Sequence, residues 1–355
     1  MKECVDIIKV AGGQSFAMAL DSLMLSMESW LTSKKVGIGN LIWSRIYLTD
    51  PANQLLPLKK HRLYEDILSR GAFSYVGQPL LDGSKIAVVF AVDLEASTVK
   101  EGTPDKMSVK YGDAEVFFQS VRLTDEEADG LTAMQQTELI FARHTEWLHE
   151  NGMTLRDNCM RTWLYVRDID CNYADVMKGR NAVFEREGLT ADTHYIASTG
   201  IEGYMAETKS VIAIDFFSVK HHAPQTPQYL NALGYLNRTN EYGVAFERGV
   251  KFSVGGNDKV FISGTASIDK HGECLYVGDV ARQADRLFLN ISQLLAAAER
   301  GLENMTYMVV YLRDIADAAF VESYLADRFP SVPRLVVEAS VCRPQWLIEV
   351  ECVTN

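Results

Sequence analysis

One frame of fixed residues occurs three times in this chain of 355 residues, and no other feature limits its fold as tightly. It reads Asn40-Leu-Ile-Trp-Ser-Arg-Ile-Tyr47-Leu-Thr-Asp50, then Asn158-Cys-Met-Arg-Thr-Trp-Leu-Tyr165-Val-Arg-Asp168, then Asn304-Met-Thr-Tyr-Met-Val-Val-Tyr311-Leu-Arg-Asp314. The β-branched and aromatic residues between the fixed points are strand chemistry. Asn158 follows Asn40 by 118 residues and Asn304 follows Asn158 by 146, too long for a solenoid period and right for one small domain each. An apolar stretch with helical spacing precedes each frame, at Phe16 to Leu31, Leu131 to Leu148 and Val280 to Ala298. A second follows each frame, at Leu56 to Leu68, Tyr173 to Arg186 and Ala316 to Phe329. Strand hairpins are expected at Ser108 to Arg122 and Val250 to Ile268. A last strand pair is expected at Arg334 to Val341 and Trp346 to Val353, around a Cys342-Arg343-Pro344-Gln345 turn.

The expected unit is therefore β-β-α-β-α-β-β, an α+β plan with sheet and helices on opposite faces. Its three copies are expected as a degenerate first repeat at 1–100, a second at 101–218 and a third at 250–355. Residues 219–249, which contain His221-His222-Ala-Pro-Gln-Thr-Pro, read as a linker. In the plain reading of the frame, Asn ends a helix-to-strand loop, Tyr fills a sheet position and Asp caps the following helix.

Charge and motifs remove several classes of function. A formal charge of −12 with no Lys/Arg-rich run gives no footprint for a phosphate backbone or an anionic bilayer, so neither nucleic acid nor membrane is an expected partner. The start, Met1-Lys2-Glu3-Cys4-Val5-Asp6, lacks a signal-peptide pattern, and no apolar run approaches the roughly 18 residues of a spanning helix, so a cytoplasmic location is expected. The six cysteines form no C-x-x-C pair and the seven histidines no H-E-x-x-H, so no metal and no redox dithiol is expected. Neither a G-x-G-x-x-G, a Walker lysine loop nor a G-x-S-x-G elbow is present, and no cofactor is expected.

Residues 250–355 resemble the YjgF/Rid family. The matching pieces are Phe261-Ile-Ser-Gly264-Thr-Ala-Ser-Ile268, Gly278-Asp279-Val-Ala-Arg-Gln283, Asn290-Ile291, Val310-Tyr311-Leu-Arg-Asp314, Pro333-Arg334 and Ile348-Glu349-Val-Glu351. The resemblance implies a chorismate-mutase-like unit that forms homotrimers with small-molecule sites in the clefts between neighbours. Three copies in one chain then imply a covalent, intramolecular pseudo-trimer in which one cleft can specialise. Two stretches look like one branch, the chorismatases, which hydrolyse chorismate to pyruvate plus a hydroxybenzoate or a dihydroxycyclohexadiene carboxylate. One is Val341-Cys342-Arg343-Pro344-Gln-Trp-Leu-Ile-Glu349-Val-Glu351. The other is Arg161-Thr-Trp163-Leu-Tyr165 with Gly179-Arg180 and Ser198-Thr199-Gly200-Ile201.

On this resemblance Glu349 is the expected catalytic acid, with Arg334, Arg343, Arg161, Arg180, Tyr165, Cys342, Thr199, Gly200 and Gly264 as the expected binding residues for a small carboxylic-acid substrate. An enolpyruvyl ether or an enamine is hydrolysed after its methylene carbon gains a proton, and a carboxylic acid in an apolar cleft can supply it. Guanidinium forks suit planar carboxylates. Cys342 has no adjacent base and reads as a pocket wall. Tyr165 belongs to the frame, where core packing is the plain reading, and shares a strand face with Arg161 and Trp163. Arg334 precedes Glu349 by fifteen residues on a strand expected to pair with it, the family's spacing between a carboxylate-gripping arginine and its glutamate. Two alternatives remain open: 2-imino acid deamination using that same pair, and a metabolite-binding protein without turnover.

Overall fold

The computed structural model describes residues 2–95, 98–111, 114–221, 227–242 and 244–355. Among the described residues three sheets form, one per repeat. The first contains β1 (Glu3–Lys9), β2 (Leu41–Leu48), β3 (Ala72–Gly77) and β4 (Ile86–Asp93), in the order β1-β4-β2-β3. The second contains β5 (Lys100–Thr103), β6 (Lys106–Tyr111), β7 (Ala114–Val121), β8 (Cys159–Val166), β9 (Ala197–Glu202) and β10 (Ile212–Lys220), in the order β5-β6-β7-β10-β8-β9. The third contains β11 (Gln228–Tyr229), β12 (Gly249–Val254), β13 (Asn257–Thr265), β14 (Met305–Leu312), β15 (Arg334–Glu338) and β16 (Ile348–Thr354), in the order β11-β12-β13-β16-β14-β15. Helices Phe16–Lys34, Ala133–Glu150 and Val280–Ala297 precede the frames, and Pro51–Lys59, Ile169–Arg186 and Ala318–Arg328 follow them. The hairpins expected ahead of the second and third helices are β6–β7 and β12–β13, residues 112–113 of the first lying outside the described residues.

The strands nearest the centre read as unbroken apolar runs, such as Ile86-Ala-Val-Val-Phe-Ala-Val92, because both faces are covered. Leu20, Leu23, Ile46, Val88 and Phe90 pack the first sheet against its own helices, while Tyr47, Ala87 and Val89 face the other units. Asn40 and Asn158 close their loops as expected, each donating to a carbonyl across the sheet at 2.7 and 2.8 Å, on Asp93 and Val219. Asp50 and Asp314 accept from the first turn that follows them, but Asp168 sits in the left-handed region at φ 46° and caps nothing. Tyr47, Tyr165 and Tyr311 are all buried in the central cluster.

The expected hairpin of the last two strands does not form. In each unit the frame strand runs between them, parallel to the third strand and antiparallel to the last, so β14 separates β15 from β16. A short stretch between two strands looks like a hairpin turn in sequence, yet here it carries the chain across the sheet. The expected linker is also more than a tether. Its β11 extends the third sheet, and Thr239–Tyr242 forms a 3-10 turn; His222 to Thr226 lie outside the described residues.

Backbone hydrogen bonds close the units into a ring. Gly77 of the first unit exchanges bonds of 2.8 and 2.9 Å with Tyr204 of the second; Glu202 donates to Ser340 of the third at 3.1 Å; Glu338 donates to Pro79 of the first at 2.9 Å. Gly77, Glu202 and Glu338 occupy the same register in their sheets, opposite Leu48, Val166 and Leu312, and each acceptor follows its own unit's equivalent by two residues. The same contact made three times in a cycle is the signature of a closed threefold arrangement. Among the described residues, no helix is long and apolar enough to cross a membrane.

Candidate functional site

The shared register shows where the three seams differ in their ionisable side chains. Tyr47, Tyr165 and Tyr311 lie opposite Ala87, Ala213 and Glu349, so the carboxyl of Glu349 replaces a methyl group found in the other two units. Two residues on, the equivalent positions hold Val89, Asp215 and Glu351. Both acids of the third unit face the second unit, across the seam where β9 meets Glu247 and Val341.

Glu351 is consumed by structure. Its Oε2 accepts from Arg161 Nη2 at 2.8 Å and Thr199 Oγ1 at 2.5 Å, and its Oε1 from Trp163 Nε1 at 2.9 Å. Arg161 also donates to Ser263 at 3.2 Å and to Thr199. Thr199 in turn accepts from the Gly264 backbone at 2.9 Å. This buried pair, 1% and 5% exposed, ties the second unit to the third and places a fixed positive charge behind the seam.

In front of it lies an open cleft, with about 560 Å³ of empty space when counted out into its mouth. The second unit contributes Ser198 and Gly200 from β9, with Tyr173 and Arg180 from one face of the helix Ile169–Arg186. The third contributes Gly264, the Cys342 to Trp346 loop and Glu349, and the end of the linker adds Val244, Phe246 and Arg248. Gly264 is where β13 departs from regular pairing: Ile262 faces Cys352 and Thr265 faces Val350, so two residues oppose Glu351. The second unit pairs without this bulge, Gln119, Ser120 and Val121 facing Phe216, Asp215 and Ile214 in turn. A bulge re-aims the backbone next to a site. Here it leaves room for the acid, since a Cβ on Gly264 would land on Glu349 Oε1 and within 2.8 Å of its Cδ. At Gly200 a Cβ would come within 3.1 Å of the Tyr173 ring.

Burial dominates the ionisation of Glu349, and the like charge of Glu351 acts with it; Arg161 and Arg248 oppose them, and the carboxyl is pushed up to about 8. It therefore holds its proton near neutrality. Burial, with the Glu349 charge, also pushes the Cys342 thiol up to about 12, so Cys342 is a wall rather than a thiolate. Arg343 lies over Trp346, with its guanidinium carbon 5.3 Å from the ring centroid, and Arg180 lies 5.5 Å from that of Phe184.

Of the expected site residues, Glu349, Arg343, Arg180, Cys342, Gly200 and Gly264 line this one cleft. Arg161 and Thr199 stand directly behind it, spent on Glu351. Tyr165 lies in the central cluster, fully buried. Arg334 is elsewhere. With β14 between its strand and that of Glu349, it occupies the register of Ser198 and Phe73, turns to its own unit's helix and pairs with Glu322 at 3.8 Å. Tyr173, Phe246 and Arg248 join the site through tertiary approach, while Ser198 and Trp346 lie within the two stretches already singled out for their resemblance.

Residues 245–355 match the model of the family described as Endoribonuclease L-PSP. Among curated proteins, the 3-aminoacrylate deaminase RutC of Acinetobacter baylyi is 30% identical over 98 residues, which span 27% of this chain and 78% of RutC. Among solved structures, a chorismatase is 16% identical with a TM-score of 0.69, covering 99% of this chain and 98% of that one. YyfA of Yersinia pestis, a conserved Rid-family protein, is 19% identical with a TM-score of 0.32, covering 37% of this chain and 99% of its own.

Proposed function

Because the chain belongs to the Endoribonuclease L-PSP family, also called YjgF/Rid, we propose that it is a hydrolase with one working cleft, between its second and third units, acting on a chorismate-like enolpyruvyl ether. The observation that carries this reading is Glu349: a buried carboxyl that keeps its proton near neutral pH, in a cleft also lined by Arg180, Arg248 and Arg343. Its proton passes to the methylene carbon of the enol ether, and the electron deficit moves to the adjacent carbon as an oxocarbenium. Water adds there, returning a proton to Glu349, and the hemiketal collapses to pyruvate and the ring alcohol. The arginines hold the two carboxylates of such a substrate, and Arg161 behind the wall offsets part of the charge that Glu349 acquires when it gives up its proton. No step requires a cofactor.

The alternative, 2-imino acid deamination, gains support from the likeness to RutC. Against it stands the separation of Arg334 from Glu349, since that reading needs both in one cleft, and Ser198 occupies the register of Arg334 where the acid lies. Incubation with chorismate, with released pyruvate coupled to lactate dehydrogenase, tests the proposal. Pyruvate is expected from the unaltered protein, falling about 100-fold or more in Glu349→Gln. Ammonia release from a 2-imino acid without pyruvate from chorismate would establish the alternative, and neither product would leave a metabolite-binding protein.

A further inference from the structure

Glu349 and Glu351 stand two residues apart on one face of β16, both buried, and the hydrogen bonds around them settle which one carries the negative charge. Thr199 Oγ1 accepts from the Gly264 backbone at 2.9 Å and from Arg161, which occupies both of its lone pairs, so its own proton goes to Glu351 Oε2 at 2.5 Å. Arg161 Nη2 donates to the same oxygen at 2.8 Å, and Trp163 Nε1 donates to the other at 2.9 Å. A guanidinium and an indole N–H accept nothing in return. A proton on Glu351 would therefore meet donors on every side, and the network holds this acid as a carboxylate. The carboxyl of Glu349 receives no hydrogen bond among the described residues.

Neighbouring acids away from water resist ionising together, so a charge fixed on Glu351 leaves the proton on Glu349. The second unit has the seam acid without the other. Asp215, in the position of Glu351, is bonded by Arg45 at 3.2 Å and by Arg122, and Ala213 stands where Glu349 would be. An acid at this position can thus build a seam alone, and ionisation of the neighbour, not stability, separates the two roles.

We propose that Glu351 is a positioning residue for Glu349: pinned as a carboxylate by Thr199, Arg161 and Trp163, it keeps the proton on Glu349. Its consequence for turnover rests on Glu349 being the acid of the reaction, whereas the placing of the charge is measured without substrate. Besides Glu351 and Arg161, Glu349 is faced by Tyr311 from β14, Tyr173 and Arg180 from the helix Ile169–Arg186, Cys342 and Arg343 from their loop, and Arg248 from the end of the linker. All of these remain in Glu351→Gln. Carbon-13 NMR of protein labelled at its glutamate carboxyl carbons, titrated from about pH 5 to 9, reads both acids. The resonance of Glu349 is the one lost in Glu349→Gln, and that of Glu351 the one lost in the double variant Arg161→Met with Glu351→Leu.

In the unaltered protein Glu351 is expected to stay ionised throughout, while Glu349 gives up its proton near 8. Glu351→Gln is expected to lower the Glu349 midpoint by about one pH unit or more, a tenfold change in its ionisation, and to carry the high-pH limb of kcat/KM down with it. The double variant also removes the opposing charge of Arg161 and is expected to shift the midpoint by less. A Glu349 midpoint that Glu351→Gln leaves in place, an equal shift in both variants, or a proton on Glu351 near neutral pH in the unaltered protein would each overturn the inference. The last needs no Glu351→Gln protein, so failure of that chain to fold cannot rescue it. Midpoints that move as expected while chorismate yields no pyruvate would uphold the placing of the charge and remove the reading of the substrate.

Discussion

Replacing Glu349 with glutamine exchanges a buried acid for a neutral amide of the same shape, and the consequence for stability can be worked out from its ionisation. The folded protein holds the proton up to about pH 8, whereas the free side chain releases it near 4.5. Between those values the folded state binds one proton more than the unfolded state, so this group makes stability fall as pH rises, by about 1.4 kcal/mol per pH unit. The stabilisation is fully present below 4.5 and is lost as pH rises through 8, a total on the order of 5 kcal/mol. Other titrating groups, such as the buried Glu247, act alike in both proteins and cancel in the comparison. Urea unfolding of the two proteins at several pH values between 5 and 8 is the assay. Glu349→Gln is expected to flatten the slope and to be the more stable protein at pH 8 while losing turnover. Equal slopes would refute the reasoning, because they mean that Glu349 binds its proton no more tightly in the folded chain than in the unfolded one.

Gly264→Ala is expected to fold, with a cost of about 1–3 kcal/mol for overpacking against Glu349 and Thr199, and to lose turnover because its methyl group displaces the acid; circular dichroism with the pyruvate assay checks both. Arg334→Ala is expected to leave kcat/KM for chorismate within about twofold, whereas Arg180→Ala lowers it by about tenfold or more. Arg161→Met is expected to cost about 3–5 kcal/mol in urea unfolding by leaving Glu351 buried without its partner, with much of that loss recovered when Glu351→Leu is added.

The threefold plan was legible in the sequence because the frame is local: Asn, strand, Tyr and Asp lie within eleven consecutive residues, and each does its work against near neighbours. What failed depended on pairing at a distance. Arg334 and Glu349 look like partners across a hairpin, and only the insertion of β14 shows that they belong to different parts of the fold. Arg161 has the same appearance in sequence whether its guanidinium faces a cleft or is spent on an acid 190 residues away. Tyr173 and Phe246 sit on a helix and a linker whose approach to β9 and β16 no local pattern records. Asp215 offered a signal that sequence reading passed over: a lone charge inside Ile212-Ala-Ile-Asp215-Phe-Phe must either find a cation or break the strand's burial.

The central claim is that a single seam of the ring, between the second and third units, holds the working cleft. A crystal structure of Glu349→Gln soaked with chorismate addresses it most directly. The account predicts one bound molecule with its enolpyruvyl group against Gln at 349 and its carboxylates toward Arg180, Arg248 or Arg343. Density beside Arg334 at the seam between the third and first units, with the Glu349 cleft empty, would contradict it.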